Sequence, residues 1–245
     1  MMFLSMLLID VGSNPDRPRP GRLWLRNLYR VHQRLCMAFP SASRASDDTD
    51  FLKPFQPQDF ACQQVHVIRG PDTGFLFRVD PQPGGRAVIL VQSAMEPDWD
   101  YAFKNAGYLL AACPEKKSFA PCFKEGRLLK FRLLANPTRK VDTKSGPDGQ
   151  RRNGRRVPVP AGEFYEWLAH RAEKAGFRLA KESTIILPGY VYVNKQGGGQ
   201  RYRSVQYDGC LTVTDSALFQ ETLAHGIGPG KAFGFGLLSV APAGL

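Results

Sequence analysis

The apolar residues of this 245-residue chain run through one order twice: strand, helix, two strands, helix, strand. In the first round Met2 to Ile9 reads as a strand, and the polar, proline-rich "DVGSNPDRPRPGR" follows as a linker. A helix fits "NLYRVHQRLCMAF", with Asn27 as its N-cap and Leu28, Val31, Leu35 and Phe39 on one face. "GFLFRVD" and "RAVILVQS" read as strands joined by a "PQPGG" turn, and "PDWDYAFKNA" holds a short helical turn. "RLLKFRLLAN" alternates as the closing strand, ended by Pro137. The second round opens on "RRVPV" and a helix, "GEFYEWLAHRAEKAGF", with Phe164, Trp167, Leu168 and Ala172 inward. "STIILPGYVYVN" and "QRYRSVQYDGCLTV" flank a "KQGGG" turn, Asp215 caps a helix in "DSALFQETLAHG", and "FGFGLLSVAP" is the last strand. A βαββαβ order repeated twice predicts an α+β chain of tandem ferredoxin-like (RRM-like) domains over residues 1–145 and 151–245, with 41–73 an irregular insertion.

Charge narrows the partner. The formal net charge is +11, and thirteen Lys or Arg against three acids fall between Lys116 and Arg156, so nearly the whole excess sits in one stretch. A field this concentrated points to a polyanion, nucleic acid or an acidic membrane surface, and favours nucleic acid. The other reading of such a run is a solvated face.

The segment "GIGPGKAFGFGLLSV" places Gly226, Gly228, Gly230, Gly234 and Gly236 within eleven residues. It is not a nucleotide P-loop: three residues, not four, separate Gly226 from Gly230, and Lys231 precedes Ala232 where Ser or Thr would hold magnesium. The dinucleotide fingerprint fails by one position at Gly234. Two roles remain open, backbone N–H groups presented to an anion or a turn that lets a helix pack on a strand.

Cys36, Cys62, Cys113, Cys122 and Cys210 form no C-x-x-C pair, and His32, His66, His170 and His225 show no zinc register. Reduced thiols in a cytoplasmic protein and no cofactor are therefore expected. "MMFLSMLLID" lacks a basic leader region and ends at Asp10, too soon to span a membrane.

Tyr29 and His32 lie three apart, roughly 60° round a helix and one turn along. The stripe of Leu28, Val31 and Leu35 leaves both toward the polar side, among Arg26, Arg30 and Arg34.

"NLYRVHQRL", "VQSAMEPDW", "FRLLANPTRK" and "GIGPGKAFGFGLLSVAP" occur in the order seen in the CasE family, and the chain resembles it nearly throughout, residues 41–73 excepted. These are the type I-E CRISPR endoribonucleases of the RAMP superfamily. The resemblance implies an enzyme that binds the repeat hairpin of a precursor crRNA, cuts at its 3′ base without metal, and stays bound to the crRNA beside the other Cascade subunits. It implies catalysis by Tyr29 and His32. In cleavage of this kind the 2′-OH attacks its own phosphate while the 5′-oxygen takes a proton, leaving a 2′,3′-cyclic phosphate and a 5′-hydroxyl. It also sets the basic hairpin of the second domain, with Lys195, Arg201 and Arg203, against the RNA stem, and gives Gly228 and Gly230 a backbone phosphate to approach. Arg139 and Lys140 of "NPTRK", and Arg151, Arg152, Arg155 and Arg156 of "RRNGRR", add to the RNA-binding set. The chain departs from its relatives at Met37 and Pro40, where some carry Lys or a hydroxyl, so charge support falls to Arg26, Arg30 or Lys231. A non-catalytic RNA-binding subunit of a ribonucleoprotein is the alternative, and retention of Tyr29 and His32 argues against it.

Overall fold

The computed structural model describes residues 1–39, 74–120, 122–141, 155–195 and 198–243. The 41–73 insertion, Pro40, Arg151 and Arg152 lie outside the described residues.

Two sheets form, each with the strand order that a βαββαβ chain gives. The first contains β1 (Met2–Asp10), β2 (Phe75–Gln82), β3 (Arg86–Ser93) and β4 (Glu115–Phe119), in the order β2-β3-β1-β4. Neighbours are antiparallel, with Leu7 opposite Ile89 and Met6 opposite Glu115. Alternation in β1 sends Ser5, Leu7 and Ile9 inward, where Phe77, Ile89 and Val91 meet them. Helices α1 (Pro20–Leu25), α2 (Leu28–Cys36) and α3 (Trp99–Phe103) cover this sheet. The helix α1 corrects the expected linker: Pro20 occupies its first turn, where a missing N–H costs nothing.

The second sheet runs β11-β5-β10-β8, from β11 (Leu238–Pro242), β5 (Leu128–Ala135), β10 (Gly198–Val213) and β8 (Phe177–Leu179). Strand β9 (Ile185–Lys195) also pairs with β10, over residues 198–208, while β8 takes residues 211–213 of the same edge. Two helices serve this sheet, α4 (Phe164–Lys174) and α5 (Ser216–His225). Phe164, Trp167, Leu168 and Ala172 of α4 are all buried, as its spacing predicts. The side chain of Asp215 accepts from Leu218 N and caps α5.

This topology reassigns two strands. "RLLKFRLLAN" does not close the first sheet; as β5 it pairs with β10 and β11 in the second. The fourth strand of the first sheet is β4, "EKKSF". "RRVPV" then leads no sheet: β7 (Arg155–Pro158) pairs only with β6 (Thr138–Val141), as a two-stranded ribbon between β5 and α4. We therefore place the division of the chain between β4 and β5 rather than near residue 150. The last strand is also shorter than expected, because Phe233 to Leu237 belong to the approach of the glycine-rich loop.

Buried polar groups join the two sheets. The Arg78 guanidinium, 4% exposed, pairs with Asp80 at 2.9 Å and donates to Ser239 Oγ at 2.9 Å and the Arg132 carbonyl at 3.3 Å. Arg132 in turn pairs with Asp208 at 2.6 Å.

Candidate active site and nucleic-acid interface

Helix α2 begins where Asn27, in extended backbone, turns its side chain onto the first free N–H groups. Asn27 Oδ1 accepts from Tyr29 N at 3.2 Å. The same oxygen accepts from Asn194 N at 3.2 Å, and Asn27 Nδ2 donates to Asn194 O at 3.0 Å. One side chain thus caps the helix carrying Tyr29 and His32 and fastens it to strand β9 of the other sheet. The part of the β9–β10 hairpin beyond the β5 pairing reaches back over α2, and Val191 packs on the first core.

Tyr29 and His32 are neighbours, their ring centroids 6.3 Å apart with planes inclined by 29°. The expectation that both face the polar side fails for His32, which is 9% exposed. Position 32 lies four residues beyond Leu28, so the buried stripe of α2 is Leu28, Val31, His32, Leu35 and Cys36, wider than three aliphatic residues define. The His32 ring sits 5.5 Å from that of Phe75 and 6.2 Å from that of Phe77. Its Nε2 lies 3.7 Å from Cys36 Sγ. The i+4 spacing of Cys36 from His32 is the sequence signal that pairs this thiol with the ring, one helical turn away.

The glycine-rich loop reaches the same place. Its glycines all have positive φ, including Gly228 at 82° and Gly230 at 81°. A side chain at Gly230 would put its Cβ 2.8 Å from the Phe235 ring, and one at Gly228 would meet Trp167 at 3.2 Å. Internal bonds from Ile227 N to Gly236 O and from Phe233 N to Gly230 O shape the loop. The N–H groups of Gly228, Gly230, Lys231 and Ala232 find no acceptor among the described residues. The packing role is visible in these contacts, and the unpaired N–H groups leave the second role available to the loop. Phe233 lies 6.3 Å from Tyr29 and 4.9 Å from Tyr202 of β10, so the loop, α2 and the hairpin meet through aromatic rings. Lys231 shares a cavity with Phe75, His225 and Gln92; it is solvent-exposed overall, yet desolvation lowers its ammonium from the ordinary lysine value.

The basic residues divide into two groups. Arg26 and Arg201 line one groove with Asn27, Tyr192 and Asn194. Arg201 and Arg203 stack over Tyr190, at 4.3 and 4.9 Å. Lys195 ends β9 opposite Gly198. The second group lies on the β6–β7 ribbon: Arg139, which pairs with Glu163 at 3.3 Å, with Lys140, Arg155 and Arg156, all exposed. Arg34 is committed elsewhere, to the Ala102 carbonyl and Asn105 Oδ1, and burial lowers its pKa. Met37 is buried at the C-cap of α2 and offers no charge.

Two ferredoxin-like sheets, a glycine-rich loop before the last strand and a Tyr–His helix define a tandem RAMP-type protein. Residues 2–242 match the family model described as CRISPR associated protein, and the chain belongs to that family, in its CasE/Cse3 branch. It is 35% identical to the CRISPR-associated endoribonuclease Cse3 of Thermus thermophilus, over 98% of this chain and 100% of the relative. It is 28% identical to the CRISPR system Cascade subunit CasE of Escherichia coli, over 98% of this chain and 100% of the relative. The solved structure of Thermus thermophilus Cse3 bound to an RNA representing a pre-cleavage complex aligns with a TM-score of 0.69 at 29% identity, over 98% of this chain and 99% of that one. No helix among the described residues is long and apolar enough to cross a membrane.

Proposed function

We propose that this chain is the endoribonuclease of a type I-E CRISPR system, binding the repeat hairpin of the precursor crRNA and cutting at its 3′ base. The observation that carries the reading is the meeting of three elements at one place: Tyr29 and His32 on α2, the basic β9–β10 hairpin tied to α2 through Asn27, and the loop with its unpaired N–H groups. In cleavage the 2′-oxygen forms a bond to phosphorus as the bond to the 5′-oxygen breaks. His32 moves the proton, a task suited to imidazole. Tyr29 orients the 2′-OH or the phosphate, and Lys231 or the loop N–H groups offset the charge that gathers on it. The products are a 2′,3′-cyclic phosphate and a 5′-hydroxyl, formed without metal. Lys195, Arg201 and Arg203 hold the stem, whose deep groove leaves phosphates and shape as the main features to read. We place the chain in the cytoplasm, retained on the crRNA with the other Cascade subunits, because its substrate is a transcript and a relative is named a subunit of that complex.

The test is single-turnover cleavage of the cognate repeat RNA with saturating enzyme in EDTA. His32→Ala should cut about 10²–10⁴-fold more slowly, roughly 3–5.5 kcal/mol of barrier, with hairpin affinity held within a few-fold. A 2′-deoxy substitution at the cut site should stop the reaction. Wild-type rates for His32→Ala would remove α2 from the chemistry, and binding without any cleavage by the wild-type protein would make it a scaffold subunit.

A further inference from the structure

Several guanidinium groups here have a carboxylate partner: Arg78 is matched by Asp80, Arg132 by Asp208 and Arg139 by Glu163. Exposed Arg156 and half-buried Arg171 have none among the described residues. Yet they converge on one place, Arg171 over the Trp167 ring and Arg156 at Thr138, whose carbonyl accepts from that indole.

The ring is Trp167, on the inner face of α4. Its Nε1 donates to the Thr138 carbonyl at 3.1 Å, which fixes the indole against the β6–β7 ribbon, and its ring stacks on buried Tyr207. The Arg171 guanidinium lies over this indole, with Cζ 3.9 Å from the ring centroid, and donates through Nη1 to the Trp167 carbonyl at 3.3 Å. Arg156 reaches the same spot from the ribbon, its Nη1 at 3.5 Å from Thr138 Oγ1. Gly228 of the glycine-rich loop closes on the edge of the same indole. Partial burial and the neighbouring positive charge of Arg156 both disfavour the charged form of Arg171.

Two guanidinium groups crowded together, one of them half-buried, are unfavourable unless an anion supplies the missing charge. The contact with the indole holds the planar guanidinium of Arg171 in place and leaves donors of its fork for a bidentate acceptor.

We propose that Arg171, over Trp167, and Arg156, held at the neighbouring Thr138, form a binding site for a backbone phosphate of the RNA, separate from α2 and from the β9–β10 hairpin. Arg171 enters the interface by this argument alone; nothing in the spacing of α4 distinguishes it from a solvated helix residue. The glycine-rich loop spans the distance between this site and Tyr29, touching Trp167 at Gly228 and the Tyr29 ring at Phe233. The bound RNA would therefore be gripped at both ends of the loop. This assignment rests on the RNA-processing reading above.

The experiment measures affinity of the cognate repeat hairpin over a salt series for the wild type, Arg171→Gln, Arg171→Lys and Arg156→Gln. Arg171→Gln and Arg156→Gln should each weaken binding several-fold and flatten the slope of log K against log salt by about 0.7–0.9, the signature of one lost phosphate contact. Arg171→Lys, which keeps the charge without the planar fork, should fall between. Hairpins carrying one neutral methylphosphonate at successive positions identify the contact: the position that weakens the wild type should cost Arg171→Gln nothing further. Arg156 is exposed, so its variant carries the test even if Arg171→Gln unfolds. Unchanged affinity and slope in Arg156→Gln and Arg171→Lys, or methylphosphonate losses that add fully to the mutation, would overturn the site. His32→Ala assayed alongside separates the two claims, since it reports on the chemistry and not on this phosphate.

Discussion

Asn27 does the work of two residues. As an N-cap it satisfies the start of α2, and through Asn194 it sets where that start lies relative to the β9–β10 hairpin. The two functions separate by substitution. Asn27→Ala loses both and should lower stability by about 0.5–2 kcal/mol, the usual loss for a cap. Asn27→Ser keeps an oxygen for Tyr29 N but is too short to bridge to Asn194, so its denaturation midpoint should return toward wild type. Both variants should still cleave more slowly in single turnover, by up to about 10²-fold, because a displaced helix misaligns the attacking oxygen. A serine variant that restores stability and rate together would make the tie to β9 irrelevant to catalysis. The cap itself was legible in the sequence, since Asn before an apolar-periodic run is a helix start. Its second partner was not, because no local pattern reports a contact between residues 167 positions apart.

At the scale of elements, what could be read depended on whether a segment carried its own periodicity. Helix α4 announced all four of its buried residues, since an amphipathic stripe is a property of the segment alone. Strand β4 announced nothing: its first four residues are exposed, so no apolar alternation marks it, and only pairing with β1 makes it a strand. Strand β5 shows a further limit. Its alternation identifies a strand with one buried face but cannot say which sheet that face joins. Likewise, His32 was assigned to the polar side because a histidine adds little to an apolar stripe, although its position lies within it. The glycine-rich loop was legible as a special backbone, and its positive φ angles make a specific expectation. Gly230→Ala combines a left-handed backbone, unfavourable by roughly 1–2 kcal/mol for a residue with Cβ, with a contact to Phe235. It should lower the thermal midpoint and, if the loop N–H groups hold a phosphate, weaken hairpin binding at temperatures where the variant remains folded. A folded variant with unchanged binding and cleavage would leave the loop a packing role only.

For the molecule as a whole, the junction between the sheets includes a buried polar cluster centred on Arg78. Truncating Arg78 to Ala leaves Asp80 beside the junction with only the 4.0 Å approach of Arg132 to offset it. Breaking a buried pair from one side costs about 3–5 kcal/mol, a loss that chemical denaturation would register as a large fall in midpoint. A shift under about 0.5 kcal/mol would show that the sheets are held together by their apolar contacts instead.

The bond between Asn27 and Asn194 also has a meaning in time. During synthesis the helix bearing Tyr29 and His32 leaves the ribosome early, while its anchor is still 167 codons away. At about 5–20 residues per second, the anchor follows roughly ten to thirty seconds later. Through that interval Tyr29 and His32 exist without the strand that anchors their helix. A ribonuclease completed at its first domain would be free to act beside its own messenger; with Tyr29 and His32 as the proposed catalytic pair, this one completes its site only when most of the chain has been made.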